Sequence, residues 1–149
     1  MSPLSHANSY RDLIVYQKSR KLSREIFAFT RDFPKEEMFS LTDQIRRSSR
    51  SIGAQIAEVW AKRRYEKHFM SKLTDADGEQ QETQHWIEVS LDCEYLTQVQ
   101  ADALLEKCLE VGRLLGGMMA KAELSCQPDA LYIREEQAPY LFSTTKTEN

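Results

Sequence analysis

The chain has 149 residues, of which 41% are hydrophobic and 29% are charged, and its net charge is -3. This length predicts one domain with a substantial core. The sequence contains no apolar run of about 18 residues, which excludes a membrane-spanning helix. The N-terminal stretch lacks the regions of a signal peptide, so we expect a cytoplasmic protein. The cysteines Cys93, Cys108 and Cys126 are odd in number, which argues against a disulfide framework.

Apolar residues recur at helical spacing in four segments that are joined by short polar connections. The low content of turn formers, 5 Gly and 4 Pro, favours helices over many short strands. The predicted fold class is therefore all-α, an antiparallel up-and-down four-helix bundle that occupies residues 1–124 as a single domain. The predicted helices span about residues 12–30, 40–61, 66–96 and 101–123.

The segments between the predicted helices contain residues that indicate where helices end and begin. Pro34 cannot continue the first helix, and it biases Phe33 toward an extended conformation. Ser40 is the predicted N-cap of the second helix, with Asp43 near the positive end of the helix dipole. After the fourth helix, residues 125–149 have no helical period and are predicted to form a mostly irregular tail. Three aromatic residues of this tail are candidates for docking on the bundle: Tyr132, Tyr140 and Phe142.

The second helix has two distinct faces. Its apolar stripe consists of Leu41, Ile45, Ile52, Ile56 and Val59. On the other side, four arginines lie around the small residues Ala54, Ala57 and Ala61: Arg46, Arg47, Arg50 and Arg64. Small side chains let another backbone approach closely, and arginines supply multidentate donors at the margin of such a contact. We therefore expect this face to meet a partner.

The third and fourth helices suggest further contacts. The main stripe of the third helix includes Phe69, Leu73 and Ile87 together with the polar residues Gln80 and Thr83. A second stripe lies well round the same helix, which favours a partner on that side; it comprises Trp86, Val89, Cys93 and Leu96. In the fourth helix, three glycines lower helix propensity by up to ~1 kcal/mol each and predict close packing; they are Gly112, Gly116 and Gly117.

Charge is distributed unevenly along the chain. Residues 40–72 contain eight Lys or Arg against three acids, whereas residues 73–106 contain nine acids and no Lys or Arg. One interpretation is that both blocks form solvated helix faces that partly neutralise each other within one protomer. The other is that basic and acidic patches on different copies meet in a head-to-tail assembly.

The basic residues near the second helix have the same two interpretations. The candidate partner-binding or nucleic-acid-binding set is Arg46, Arg47, Arg50, Lys62, Arg63, Arg64 and Lys67. These cations either pair with acids of the third helix or of a neighbouring subunit, or they contact phosphates of RNA or DNA. Trp60 and Tyr65 flank the basic turn, where they either stack on unpaired bases or pack at a helix end.

No pattern of an enzyme or a metal site is complete. The segment Asp75 to Glu79 resembles part of a calcium loop, but its spacing places Leu73 and Gln84 at essential ligand positions. Glu82-x-x-His85 has the spacing of half a di-metal carboxylate site, and the other half is missing from the sequence. The chain also lacks a nucleophile elbow, a phosphate-binding glycine loop and a dinucleotide fingerprint. We predict a non-enzymatic protein without a cofactor.

Three segments carry a family resemblance: DLIVYQKSRKLSREIFAFTRDFP, SLTDQIRRSSRSIGAQIAEVWAKRR and HFMSKLTDADGEQQETQHWIEVSLDCEYL. Over about residues 11–120, the chain resembles the four-helix bundle family that includes proteins encoded in intervening sequences of large-subunit ribosomal RNA. The resemblance implies an up-and-down bundle that assembles as a homopentamer. A related protein, the accessory protein of diversity-generating retroelements, is a basic pentamer that binds nucleic acid and a reverse transcriptase.

The sequence also departs from this family's pattern. Gly53-Ala54-Gln55 stands where the family usually has Pro-x-Asn, and Val59 replaces a usual glycine. In the third helix, the segment 77–82 adds acidic residues. Together with a pI near 5.7, these changes weaken the case for nucleic-acid binding. The leading hypothesis is a non-enzymatic homo-oligomeric scaffold or adaptor, with a second copy or another protein as its partner. The alternative is an RNA-binding or DNA-binding protein.

Overall fold

The computed structural model describes Leu4 and residues 6–126, with only the helical backbone for residues 123–126. It contains four α-helices: α1 (Ile14–Thr30), α2 (Asp43–Ala61), α3 (Glu66–Asp92) and α4 (Gln98–Cys126). Each helix packs against the next one in the chain, and α4 packs back against α1. Because the connections are short, neighbouring helices run antiparallel. The predicted all-α, up-and-down four-helix bundle is confirmed.

The core lies where the apolar periodicity places it. The predicted stripes of α1 and α2 are buried. Four of their residues have no exposed surface: Leu22, Ile26, Ile52 and Ile56. In α4 the buried residues again follow helical spacing: Leu104, Cys108, Val111, Leu115 and Met118. Burial of such side chains removes apolar surface from water, which is the main force that holds the four helices together.

The stripe of α3 is buried although part of it is polar. Gln80 is 4% exposed and Thr83 is fully buried. The Thr83 hydroxyl lies 2.9 Å from the Ser48 hydroxyl of α2 and 2.8 Å from the carbonyl of Glu79, so it has partners on both helices. Buried polar groups that are hydrogen-bonded in this way do not destabilise a core.

The start of α2 differs from the prediction. Residues 35–37 form a 3-10 turn and Met38–Thr42 form a π-helical turn, which leads directly into α2 at Asp43. Ser40 therefore lies inside a helical turn, and its hydroxyl donates to the Glu37 carboxylate at 2.9 Å instead of capping α2. The predicted N-cap at Ser40 is wrong because the chain is already helical after Pro34.

The end of α3 also differs. The helix stops at Asp92, four residues before the predicted end, and Glu94 has a φ of 62°. The Tyr95 amide donates to the Ser90 carbonyl at 2.9 Å and the Glu94 amide donates to the Leu91 carbonyl at 2.9 Å, which is a Schellman ending without its usual glycine. Leu96 consequently leaves the helix and enters the protomer core, where it is 4% exposed. Leu96 is not on an outer stripe of α3, and that part of the interface prediction is wrong.

The fourth helix begins and ends beyond its predicted limits. The Gln100 amide donates to the Thr97 hydroxyl at 3.1 Å, and the Thr97 amide donates to the Gln100 side chain at 3.0 Å. This capping box starts α4 at Gln98 rather than at residue 101. At the other end α4 continues to Cys126. The remainder of the predicted tail, including Tyr132, Tyr140 and Phe142, lies outside the described residues.

Ion pairs between helices occupy two seams of the bundle. Across α1 and α4, Lys18 pairs with Glu110 at 2.6 Å and Lys107 pairs with Glu25. The hydrogen bond from Lys18 lowers the pKa of Glu110. Across α2 and α3, Lys72 pairs with Glu58 at 2.7 Å, and Arg47 pairs with Glu79 and Glu82. None of these ion pairs lies at the α1–α2 seam or the α3–α4 seam. None of the described helices is long and apolar enough to span a bilayer.

Candidate functional site

The α1–α2 seam opens into a groove of about 320 Å³. Its floor is made of small residues, and Tyr10, Tyr16, Arg20 and Arg50 form its margins. The small residues are Ser19, Ser23, Ser49, Gly53, Ala54 and Ala57. We call this surface the basic groove. It contains two of the three alanines predicted to meet a partner, while Ala61 is exposed at the end of α2.

The arginines of α2 do not form one row. Arg47 turns toward α3, where it pairs with Glu79 and Glu82 as one interpretation of the sequence proposed. Arg46 and Arg50 turn the other way, toward α1, and their guanidinium carbons lie 4.6 and 5.6 Å from the centre of the Phe27 ring. The helical spacing of α2 identified these side chains, but it could not show that they divide between two seams.

The sequence analysis missed two cations on the same side of the bundle, which are Arg20 of α1 and Arg31, the residue that follows α1. The Arg20 guanidinium lies 5.9 Å from the centre of the Tyr16 ring, and the Arg31 guanidinium lies 4.8 Å from the centre of the Phe27 ring. Neither arginine pairs with a described carboxylate. The alternation of Tyr16, Arg20, Phe27 and Arg31 along one helix was a signal for this surface.

The α3–α4 seam opens into a larger groove of about 870 Å³. We call it the acidic groove, because Asp77 and Glu88 line it without a described cationic partner, and its one arginine, Arg113, pairs with Glu106 within α4. The rest of its α3 wall consists of the amide side chains of Gln80, Gln81 and Gln84 together with the imidazole of His85. The α4 wall is mostly apolar or small: Leu109, Gly112, Gly116, Met119 and Ala120. The sequence analysis did not identify this groove.

A chain of hydrogen bonds holds the amide wall in place. The Gln80 side chain donates to Asp77 at 3.0 Å and accepts from Gln84 at 2.7 Å, and Gln81 donates to the other oxygen of Asp77 at 3.0 Å. A Cβ atom on Gly112 would lie 2.9 Å from the Gln80 amide nitrogen. Gly112 therefore makes room for this network.

We expect Gly112→Ala and Gly116→Ala to change stability in opposite directions. Both substitutions raise helix propensity by up to ~1 kcal/mol. A Cβ at position 116 meets nothing within 4 Å, whereas a Cβ at position 112 must displace the buried, doubly hydrogen-bonded Gln80 side chain. Overpacking of this kind costs about 1–3 kcal/mol. Urea denaturation of both variants tests this expectation, and equal stabilisation would contradict it.

The close packing predicted for the three glycines of α4 applies to Gly112 but not to Gly116 or Gly117, where a Cβ would meet nothing within 4 Å.

The basic turn between α2 and α3 contains the other predicted cations. Lys62, Arg64 and Lys67 are exposed and have no partner in the part of the chain that the structure describes. Arg63 lies 4.2 Å from the centre of the Trp60 ring and donates to the Trp60 carbonyl at 2.9 Å. One face of Trp60 is therefore covered by a guanidinium group.

The second apolar stripe of α3 is accommodated inside the protomer. Trp86 and Val89 are half-buried and pack against the core. The Trp86 indole nitrogen donates to Glu82 at 3.1 Å, and Glu82 in turn pairs with Arg47 of α2. Only Cys93 of the predicted stripe is exposed. The stripe faces the α2–α3 seam, so it gives no separate reason for a partner.

The residues that the sequence analysis weighed for metal binding do not converge. Glu82 faces α2, whereas His85 lines the acidic groove on the other side of α3. Among the described residues, no three His, Cys, Asp or Glu side chains are placed to share a metal ion. Burial raises the pKa of the Cys108 thiol to about 12, so this thiol is protonated at neutral pH and lacks the reactivity of a thiolate.

Comparison with protein families gives a decisive match. The 23S rRNA-intervening sequence protein family matches residues 11–117, which is most of the chain. The chain belongs to this family. The family resemblance expected from the helix 1 to helix 3 segments is confirmed, and the match covers α1, α2, α3 and most of α4.

A similar solved structure supports the helical-bundle fold. It is a crystal structure of a protein with unknown function from the S23 ribosomal protein family of Bacteroides thetaiotaomicron VPI-5482. The two proteins are 29% identical, with a TM-score of 0.63, and the match covers 71% of this chain and 98% of that one. No curated protein matches the chain. The comparisons thus establish a family and a fold.

Proposed function

We propose that this member of the intervening-sequence protein family is a non-enzymatic subunit of a homo-oligomeric scaffold. The observation that supports this proposal is the distribution of paired and unpaired charges around the bundle. The α1–α4 and α2–α3 seams are crossed by ion pairs within the protomer. The other two seams are open grooves with opposite charge, which are the basic groove and the acidic groove.

The order of the helices places these two grooves on opposite sides of the protomer. Because α1, α2, α3 and α4 follow one another around the bundle, the α1–α2 seam is diagonally opposite the α3–α4 seam. A contact between unlike surfaces of two copies is heterologous, so it repeats from subunit to subunit and gives a closed ring where the rotation between copies closes, or an open filament where it does not. The resemblance noted in the sequence implies a ring of five.

The chemistry of the two grooves fits such a contact. Gly53, Ala54 and Ala57 allow close approach of a neighbouring helix, with Arg20 and Arg50 at the margins. The acidic groove offers the Glu88 carboxylate and a row of glutamine amides as acceptors. Opposite charges at the rim of an interface set its register and raise its association rate.

Light scattering of the full-length protein tests this proposal. The expected result is one oligomeric mass that persists on dilution to micromolar concentration and at moderate salt, because the small-residue floor contributes apolar contact in addition to charge. A monomeric mass across the micromolar range would overturn the proposal.

A second candidate function is binding of RNA or DNA, and a separate observation favours it. At the basic turn, Lys62, Arg64 and Lys67 lack a described partner, and the neighbouring Tyr65 is 64% exposed. Free cations beside an exposed aromatic ring are the usual elements of a single-strand binding surface, with phosphate contacts from the cations and base stacking on the ring. Copies of this turn around a ring would add their contacts by multivalency.

We expect Arg63→Glu combined with Arg64→Glu to remove RNA binding if this second function is correct. Each phosphate contact that is lost lowers the salt dependence of the affinity, with a slope of roughly 0.7 per contact for single strands. Fluorescence anisotropy with a labelled RNA at several salt concentrations measures both quantities. Lys21→Glu combined with Arg24→Glu is the matched control, because it makes the same change in net charge at two exposed residues near the middle of α1, away from the turn. Salt-independent binding, or equal loss in the control, would contradict the assignment.

A further inference from the structure

The Phe27 side chain of α1 is the centre of an unusual cluster of positive charge. The guanidinium carbons of Arg46, Arg31 and Arg50 lie 4.6, 4.8 and 5.6 Å from the centre of its ring. All three guanidinium groups therefore lie within 5.6 Å of the centre of one ring. Arg31 comes from the end of α1, and Arg46 and Arg50 come from successive turns of α2.

These three charges are not neutralised within the protomer. Neither Arg31, Arg46 nor Arg50 forms an ion pair with any carboxylate in the described part of the chain. The attraction between a guanidinium group and an aromatic face offsets only a part of the repulsion between neighbouring cations. An anion placed among the three groups would remove that repulsion.

One member of the cluster is held in a fixed orientation. The Arg46 Nε donates to the Thr30 hydroxyl at 2.8 Å, and this hydroxyl donates to the Phe27 carbonyl at 3.1 Å. Thr30 is 3% exposed, so the hydroxyl that orients Arg46 is buried as well as hydrogen-bonded on both sides. With Nε used in this way, both terminal nitrogens of Arg46 keep their donors for a ligand, and no described group accepts from them.

We propose that the Arg31, Arg46 and Arg50 cluster is a binding site for a phosphate-type oxyanion. A phosphate group carries more negative charge than a carboxylate and presents oxygens in several directions, which suits three planar donors that approach from two helices. The ligand chemistry is that of a phosphate group, either free in solution or part of a nucleic-acid backbone. The site goes beyond the proposed assembly, since only Arg50 also lines the basic groove.

Titration calorimetry with pyrophosphate tests the site in the full-length protein at about 150 mM salt, where nonspecific surface binding is screened. The variants are Arg46→Gln and Arg31→Gln, which leave the basic groove intact. Loss of one charge-assisted contact is expected to weaken binding about tenfold or more. Arg64→Gln is the matched control, because it removes the same charge at the basic turn and should not change the affinity.

The source of the phosphate group is distinguished by a second titration with a short single-stranded oligonucleotide. Binding of pyrophosphate that weakens in Arg46→Gln and Arg31→Gln assigns the site to a free oxyanion. Binding of only the oligonucleotide, with the same dependence on these two arginines, assigns it to a nucleic-acid phosphate. No binding of either probe, or equal binding by both variants and wild type, would overturn the proposal. Light scattering of the same variants shows whether they retain the oligomeric mass, so loss of oxyanion binding is distinguished from loss of assembly.

Discussion

Reversing the charge of Arg20 and Arg50 together is expected to convert the proposed homo-oligomer to monomers. Both side chains stand at the margin of the basic groove, and neither has an ion pair with a described residue. With glutamate at both positions, the groove would face the Glu88 carboxylate of the next copy with the same sign. Like charges brought together at an interface cost several kcal/mol, so we expect the dissociation constant to rise at least about hundredfold. The measurement is the mass from light scattering as a function of concentration.

The control for this double reversal is Lys67→Glu combined with Lys62→Glu. It makes the same change in net charge at exposed positions outside both grooves. The control should retain the wild-type mass, since a change in net charge alone does not remove a specific contact. Dissociation of the control to the same extent would show that total charge, rather than the basic groove, governs assembly.

The second large effect is expected for Ile87→Ala in α3. Over 27 residues, the buried stripe of this helix contains only three large apolar side chains, which are Phe69, Leu73 and Ile87. Ile87 has no exposed surface, and the polar neighbours Thr83 and Ser90 cannot replace its contacts. Truncation of a buried isoleucine leaves a cavity and costs about 2–5 kcal/mol. Urea denaturation at a fixed protein concentration measures this loss.

Ile14→Ala is the matched control for Ile87→Ala. Ile14 is 59% exposed at the first position of α1, so removal of the same atoms changes little burial. The expected change in the free energy of unfolding is within about 0.5 kcal/mol. Similar losses for both variants would mean that α3 does not depend on its few apolar contacts in the way the structure indicates.

Helical periodicity was sufficient to predict the fold because each helix buries one stripe and the connections are short. The stripe of α3 was identified even though Gln80 and Thr83 interrupt it, because the apolar residues before and after them keep the helical spacing. Helix ends were less predictable. The ending at Asp92 uses Glu94 in a left-handed conformation where glycine is usual, and no composition signal marks it.

The start of α4 could have been predicted from the sequence, but it was missed. Thr97 and Gln100 have the spacing of a capping box, and the structure shows both of its hydrogen bonds. The start of α2 had the opposite problem. Ser40 and Asp43 resemble a cap, but the π-helical turn before α2 satisfies the backbone without one. A local motif is decisive only when the preceding residues are not already helical.

The surfaces could be predicted only in part. Periodicity placed Arg46, Arg47 and Arg50 on α2, but the seam that each side chain enters depends on which helix lies beside it. Arg47 reaches the acids of α3, while the other two reach Phe27 of α1, a residue that carried no signal by itself. The acidic groove was missed for the same reason, because α3 and α4 create it jointly and neither helix alone shows a distinctive pattern.

A charge-exchange experiment tests the proposed head-to-tail assembly most directly. One variant, Arg20→Glu with Arg50→Glu, has a reversed basic groove, and a second variant, Gln81→Arg with Glu88→Arg, has a positively charged acidic groove. Each should be monomeric alone, whereas light scattering of the chain that carries all four substitutions should recover the oligomeric mass, because every altered basic groove then faces an altered acidic groove of opposite charge, whatever the number of copies in the ring. A fourfold variant that remains monomeric while the wild type is assembled, or double variants that assemble alone, would contradict contact between these two grooves.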